Sequence, residues 1–248
     1  MVTSYAIRRR QLQSEIQEIV KRYILDHRFQ PGDPLPGEGE LASQMGISRP
    51  SLREAMKVLQ TIGAIETRHG SGTYVGALSL DPLADGIAFQ VLLASQHSAT
   101  VPQELIDLVD LRTLLESHLI VRVAGHHTPA QIAAMHALND EMAASVDWGG
   151  GFSELDLDLH QLFYAPLGSS VYSEFVRCNW KISNLAIRPY ARASRKAIAA
   201  EHEAIIDSLA RHDAEAALQA MTIHLENLAN TVTTAYDPEY LREDALGQ

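Results

Sequence analysis

At 248 residues, with 46% hydrophobic and 6% aromatic content, the chain is long enough for one or two domains with a sizeable core. No window has the apolar length of a membrane span, and MVTSYAIRRRQLQ lacks the apolar run of a signal peptide or anchor. The single Cys178 excludes an intramolecular disulfide and a thiolate metal cluster, and is expected to be a small buried residue in a protein of the reducing cytoplasm.

Charge is uneven along the chain. Residues 1–77 carry ten lysines and arginines against eight acidic residues, whereas residues 78–248 carry ten against twenty-three. Phosphate would be repelled by the acidic part, so any nucleic acid is expected on the N-terminal part alone, with salt-sensitive binding.

Pro31, Gly32, Pro34 and Pro36 break a first helix, and Glu38 and Glu40 suit the opening turn of a second, running to about Met45. Gly46 can take positive φ at its end, Ile47 is an apolar plug, and Ser48 with Pro50 behind it starts a third helix near Arg49. Leu52, Ala55, Met56 and Leu59 recur at helical spacing, leaving Arg49, Ser51 and Arg53 on the outer side. Two helices joined by a tight turn place such residues in the DNA major groove, where an arginine fork on guanine gives about 1–3 kcal/mol of discrimination. Taken alone, the motif also fits an amphipathic helix with solvated arginines. Ala64–Arg68 and Thr73–Val75 then read as short strands around a tip of His69, Gly70, Ser71 and Gly72. This is a wing, with Arg68 and His69 as donors and Gly70 permitting close backbone approach.

The segment from about Ile7 to Val75 resembles the GntR family of bacterial transcription regulators: PGDPLP, ELA, GISR, LREA, VLQTIGAIETR and HGSGTYV occur in family order. The resemblance implies that Arg49, Arg53, His69 and Gly70 contact DNA. The family usually has an arginine in LPSERELA where this chain has Gly39 in LPGEGELA, so one contact is expected to be missing.

Beyond Gly76 the runs Leu83–Ala94, Val101–Ala124, Pro129–Val146, Leu155–Ala165, Val171–Ile187, Ala197–Arg211 and Ala214–Thr234 show helical apolar spacing. Thr128 before Pro129 and Asp213 before Ala214 are helix starts, and Gly149–Gly151 is read as a loop. The expected fold is mainly α: a winged helix-turn-helix over residues 1–77, then an all-α antiparallel bundle of six or seven helices over 78–248.

Asp156 and His160 share one helix face, four residues apart, and His202 and His224 lie among apolar residues on later helices. Three imidazoles and a carboxylate suit a divalent ion such as zinc, nickel or manganese. The alternative is that these are surface or hydrogen-bonded histidines, and His118, His126, His127, His136 and His212 are read as solvated or capping. Arg112 either meets a carboxylate effector with its planar fork or pairs with Glu116 one turn later. Asn184, Arg188 and Arg192 are further candidates for the same cavity.

From about Asp81 to Ala235 the chain resembles the FCD ligand-binding domain of FadR-type GntR regulators, through DLVDLRTLLE, the Asp156–His160 spacing and EHEAIIDSLARHDAEAALQAMTIHL. The resemblance implies Asp156, His160, His202 and His224 as metal ligands and Arg112 as an effector contact. Two departures, Leu159 for a common phenylalanine and Gly168–Ser169–Ser170 for a Gly-Asn, remove no ligand. The expected molecule is a homodimeric regulator of double-stranded operator DNA, in the cytoplasm, away from membranes, answering a hydroxy, keto or sugar acid at a metal. A direct metal sensor and a metalloenzyme are the alternatives. Against the enzyme, no separate general base or nucleophile has a spacing signal.

Overall fold

A computed structural model describes residues 2–95, 100–144, 150–187 and 195–234. Its chain divides into two units, Met1–Pro82 and Leu83–Gln248.

The first unit contains α1 (Val2–Asp26), α2 (Glu38–Met45), α3 (Arg49–Thr61) and the antiparallel strands β1 (Ile65–Arg68) and β2 (Gly72–Val75). Ile16, Val20 and Ile24 recur every fourth residue and bury one face of α1 among Leu52, Ala55, Met56 and Leu59 of α3. Leu52 is fully buried, so Leu52→Ala is expected to cost about 2–5 kcal/mol. The turn between α2 and α3 forms as its residues dictate. Gly46 ends α2 at φ +67°, and the Ser48 hydroxyl accepts the Ser51 amide at the start of α3.

Pairing of the hairpin runs from Ile65 opposite Val75 to Arg68 opposite Gly72. Gly76 leaves it through a gap that admits no side chain: a β-carbon there would lie 1.9 Å from the Gly63 carbonyl oxygen. The proline-rich segment does more than break a helix. Gly32 donates to the Val75 carbonyl at 2.8 Å, Val75 to Asp33 at 2.9 Å and Leu35 to Thr73 at 2.8 Å, adding an extended edge to β2. Pro34 and Pro36 hold their preceding residues extended while the amides of Gly32 and Leu35 supply the pairing.

α4 (Asp81–Ser95) begins at the last two residues of the first unit, and the second unit continues with the described helices α5 (Gln103–Val123), α6 (Pro129–Ala144), α7 (Gly150–Tyr164), α8 (Ser170–Ile187), α9 (Arg195–Ala210) and α10 (Ala214–Thr234), with a 3-10 turn at Ala165–Leu167. α10 packs on α5 and α9, α6 on α7 and α9, and α8 on α5 and α7. Their shared core includes Leu119, Met135, Phe163, Ile205 and Met221. Thr128 caps α6 by accepting the Gln131 amide while Gln131 accepts the Thr128 amide, a reciprocal capping box. Asp213 caps α10 through the Ala216 amide at 3.0 Å.

Two expectations need correction. Gly150 and Gly151 belong to α7 rather than to a loop, while Gly149 lies outside the described residues. Phe152, docked in the core, anchors that first turn, where amides lack intrahelical partners anyway. His127 is neither solvated nor a charged cap. It is buried and hydrogen-bonded to the Phe163 carbonyl at 2.8 Å, and burial lowers its pKa. Cys178 is buried on α8, as expected.

Candidate functional site

In the first unit, Arg49 and Arg53 are exposed on the opening turns of α3. Arg53 forks onto one carboxylate oxygen of Glu38, from Nε at 3.0 Å and Nη2 at 2.8 Å; that hydrogen bond raises its pKa further. Ser51 is half-buried and shares the helix cap with Ser48, whose hydroxyl donates to its own at 2.8 Å. On the wing, Arg68 pairs with Glu66 and lies over the Tyr74 ring, 4.1 Å from the centroid. His69 and Gly70 are exposed at the tip, with Gly70 at φ +73°, and the turn closes through the Ser71 amide on the Arg68 carbonyl at 2.9 Å.

The second unit brings Asp156 and His160 of α7 together with His202 of α9 and His224 of α10. Ligand atoms of the three histidines lie within 4.8 Å of one another, and all three rings are buried. Asp156 Oδ1 stands 3.5 Å from His202 Nε2 and 3.8 Å from His160 Nε2. Two donors bound at about 2.1 Å in tetrahedral geometry are separated by about 3.4 Å, so this spacing suits ligands of one cation.

Hydrogen bonding around the cluster fixes which nitrogens face inward. His160 Nδ1 lies 2.6 Å from Glu116 Oε2, and His224 Nδ1 lies 2.8 Å from Glu201 Oε2, so each ring donates there and turns Nε2 away from that carboxylate. Trp180 Nε1 donates to Asp156 Oδ2 at 2.7 Å, which leaves Oδ1 toward the histidines. Both ring nitrogens of His202, a fully buried residue, have no hydrogen-bond partner. Such an orphaned imidazole is costly in a folded core, and a cation is one group that would satisfy it. Burial, reinforced by His224 and His160, lowers the His202 pKa well below its usual value. Burial likewise lowers that of His224, against an opposing pull from Glu201. Both shifts favour the neutral form that a metal requires.

Arg112 fulfils one of its two readings: Nε donates to Glu116 Oε1 at 2.6 Å in a buried pair on α5. It also approaches His160, with Nη2 3.3 Å from Nε2, so the guanidinium borders the cluster. Burial alone would raise the Glu116 pKa, but Arg112 and His160 outweigh it and hold the carboxyl well below the carboxylate range. Tyr164 adds a third donor at 2.8 Å, and its own pKa is pushed well up by burial and by Glu116. Asn184, half-buried on α8, accepts from Ser153 at 3.0 Å. Arg188 and Arg192 lie outside the described residues.

Comparison with known proteins gives a family match in each of the two units. Residues 12–75 match the bacterial regulatory proteins of the gntR family, and residues 107–227 match the FCD domain. The chain is a GntR-family regulator with an FCD domain. It is 25% identical over 236 residues to the HTH-type transcriptional repressor NanR of Escherichia coli (strain K12), covering 92% of this chain and 87% of that one. It is also 25% identical to NanR of Enterobacter sp. (strain 638), covering 90% and 86%. A solved Streptococcus agalactiae GntR structure shares the fold with a TM-score of 0.64 at 24% identity, covering 88% of this chain and 99% of that one. The family and these curated relatives are regulators, so the protein is a DNA-binding transcription regulator rather than an enzyme.

Within this FCD domain, Glu201, Asn227, Tyr164 and Trp180 are site residues that the sequence reading missed. Asn227 donates to Glu201 Oε1 at 2.7 Å, steadying the carboxylate that orients His224. Glu201 adjoins His202 in AAEHEA, and that adjacency was the one local signal available. No described helix is long and apolar enough to cross a membrane.

Proposed function

We propose that this GntR-family protein is a FadR-type homodimeric repressor of the cytoplasm whose operator affinity is set by a small organic acid at a divalent-metal centre. Residues 1–77 hold duplex DNA, through Arg49, Ser51, Arg53, Arg68, His69 and Gly70. Residues 78–248 hold the metal, through Asp156, His160, His202 and His224, and the acid. The observation that carries the metal is His202, fully buried with two unpartnered nitrogens among two other imidazoles and a carboxylate.

Bound there, a zinc, nickel or manganese ion would supply positive charge to a hydroxy, keto or sugar acid. The protein residues have separate tasks. Glu116 and Glu201 orient His160 and His224, and Trp180 orients Asp156. Arg112 offers a guanidinium edge beside His160 to the acid's carboxylate. An acid that binds one arrangement of α5, α7, α9 and α10 better than another shifts the population of those arrangements, and through it the DNA affinity. Metal analysis together with operator gel shifts across a panel of such acids tests this reading. Metal-free protein that still releases its operator on addition of an acid would refute the role given to the ion.

Arg112 is already neutralised by Glu116, which favours a second reading in which the ion itself is the signal. Operator binding that responds to chelation and to no acid would select it.

A further inference from the structure

In the DNA-binding unit, a β-carbon at Gly39 would lie 3.0 Å from Nη2, 3.2 Å from Cζ and 3.4 Å from Nε of Arg49. The guanidinium at the start of α3 is therefore set against bare backbone in the first turn of α2. Its neighbour along α2, Glu38, holds Arg53 by two hydrogen bonds. Consecutive residues of one turn thus adjoin the two outward arginines: Glu38 pairs with Arg53, and Gly39, carrying no side chain, leaves the space that the Arg49 guanidinium occupies.

We infer that Gly39 is a positioning residue for DNA readout, fixing where the Arg49 guanidinium meets a base edge. Three points support this. Arg49 and Gly39 lie on different helices, so their contact couples the guanidinium to the body of the unit as well as to its own helix. Distances of 3.0–3.4 Å leave no room for a methyl group unless Arg49 moves by some tenths of an ångström. An arginine fork reads guanine through two directed hydrogen bonds, whose geometry tolerates little displacement.

The test is selection from a pool of duplexes with a randomised core, followed by sequencing, on the full-length wild type, Arg49→Ala, Gly39→Ala and Gly39→Gln. Alanine and glutamine are better helix formers than glycine, and circular dichroism verifies that the variants fold. Arg49→Ala is expected to flatten preference at one base position. Gly39→Gln should change discrimination at that same position by about fivefold or more, and Gly39→Ala by less, with the remaining profile retained. Gly39 variants that keep the wild-type profile at the position flattened by Arg49→Ala would overturn the inference. So would a uniform loss of affinity at unchanged preference, because that is exclusion rather than positioning. An Arg49→Ala profile identical to wild type overturns it too, by showing that Arg49 reads no base.

Discussion

His202 Nε2 and Asp156 Oδ1 stand 3.5 Å apart without forming a hydrogen bond. A histidine and a carboxylate brought this close in a core would normally pair. That they do not, while Trp180 takes the other oxygen of Asp156 and carboxylates take the Nδ1 atoms of His160 and His224, leaves His202 without a hydrogen-bond partner beside two imidazoles and a carboxylate.

Carboxylates behind metal-bound histidines typically contribute 10–100-fold in affinity. Glu201→Gln should therefore weaken zinc or manganese binding by about that factor while the protein stays folded, because Glu201 is partly exposed and touches only His224 and Asn227 among the contacts described. Calorimetric titration of metal-stripped protein measures it. Affinity equal to wild type would detach Glu201 from the site.

Removing Arg112 should be costly in a different way. Arg112→Met leaves the ionised, buried Glu116 with only His160 and Tyr164, and breaking one half of a buried pair costs about 3–5 kcal/mol. The double variant Arg112→Met, Glu116→Gln should recover part of that loss. Chemical denaturation of wild type, Arg112→Met, Glu116→Gln and the double variant reads the coupling, and strictly additive losses would mean that the pair is not a unit.

Acid should destabilise the metal-stripped protein. His202 and His224 have folded pKa values below the unfolded value of about 6.5, so below that pH the unfolded chain binds more protons than the folded one. Stability is thus full above about pH 6.5 and declines as pH falls through it toward the depressed values. Melting temperatures measured in a chelator between about pH 8 and pH 5 test the sign. A protein that grows more stable on acidification over that range would contradict it.

The double variant Arg49→Ala, Arg53→Ala should lose specific operator binding in a gel shift and show a shallower salt dependence, by about one unit of slope for each phosphate contact removed. Unchanged binding would remove α3 from the DNA interface.

Local chemistry made much of this molecule legible. Ser48 with Pro50, Thr128 with Gln131, and Asp213 are caps set by a few adjacent residues, and the Asp156–His160 pair is set by one helical turn. What could not be read is non-local. Glu116 meets His160 across 44 residues, Asn139 meets Glu203 across 64, and residues 32–35 pair with β2, some forty residues on in the chain. His127 was misread because its burial depends on α7, whose Phe163 carbonyl it meets, rather than on the helix end beside it. Of the two Arg112 readings the structure shows the pair with Glu116, and the same guanidinium borders His160.

The most direct test is the metal content of purified protein by elemental analysis, wild type beside His202→Ala and Asp156→Asn. About one divalent ion per chain is expected in wild type, with a large loss in both variants. No bound ion after loading with zinc, nickel or manganese, or equal content in all three proteins, would contradict this.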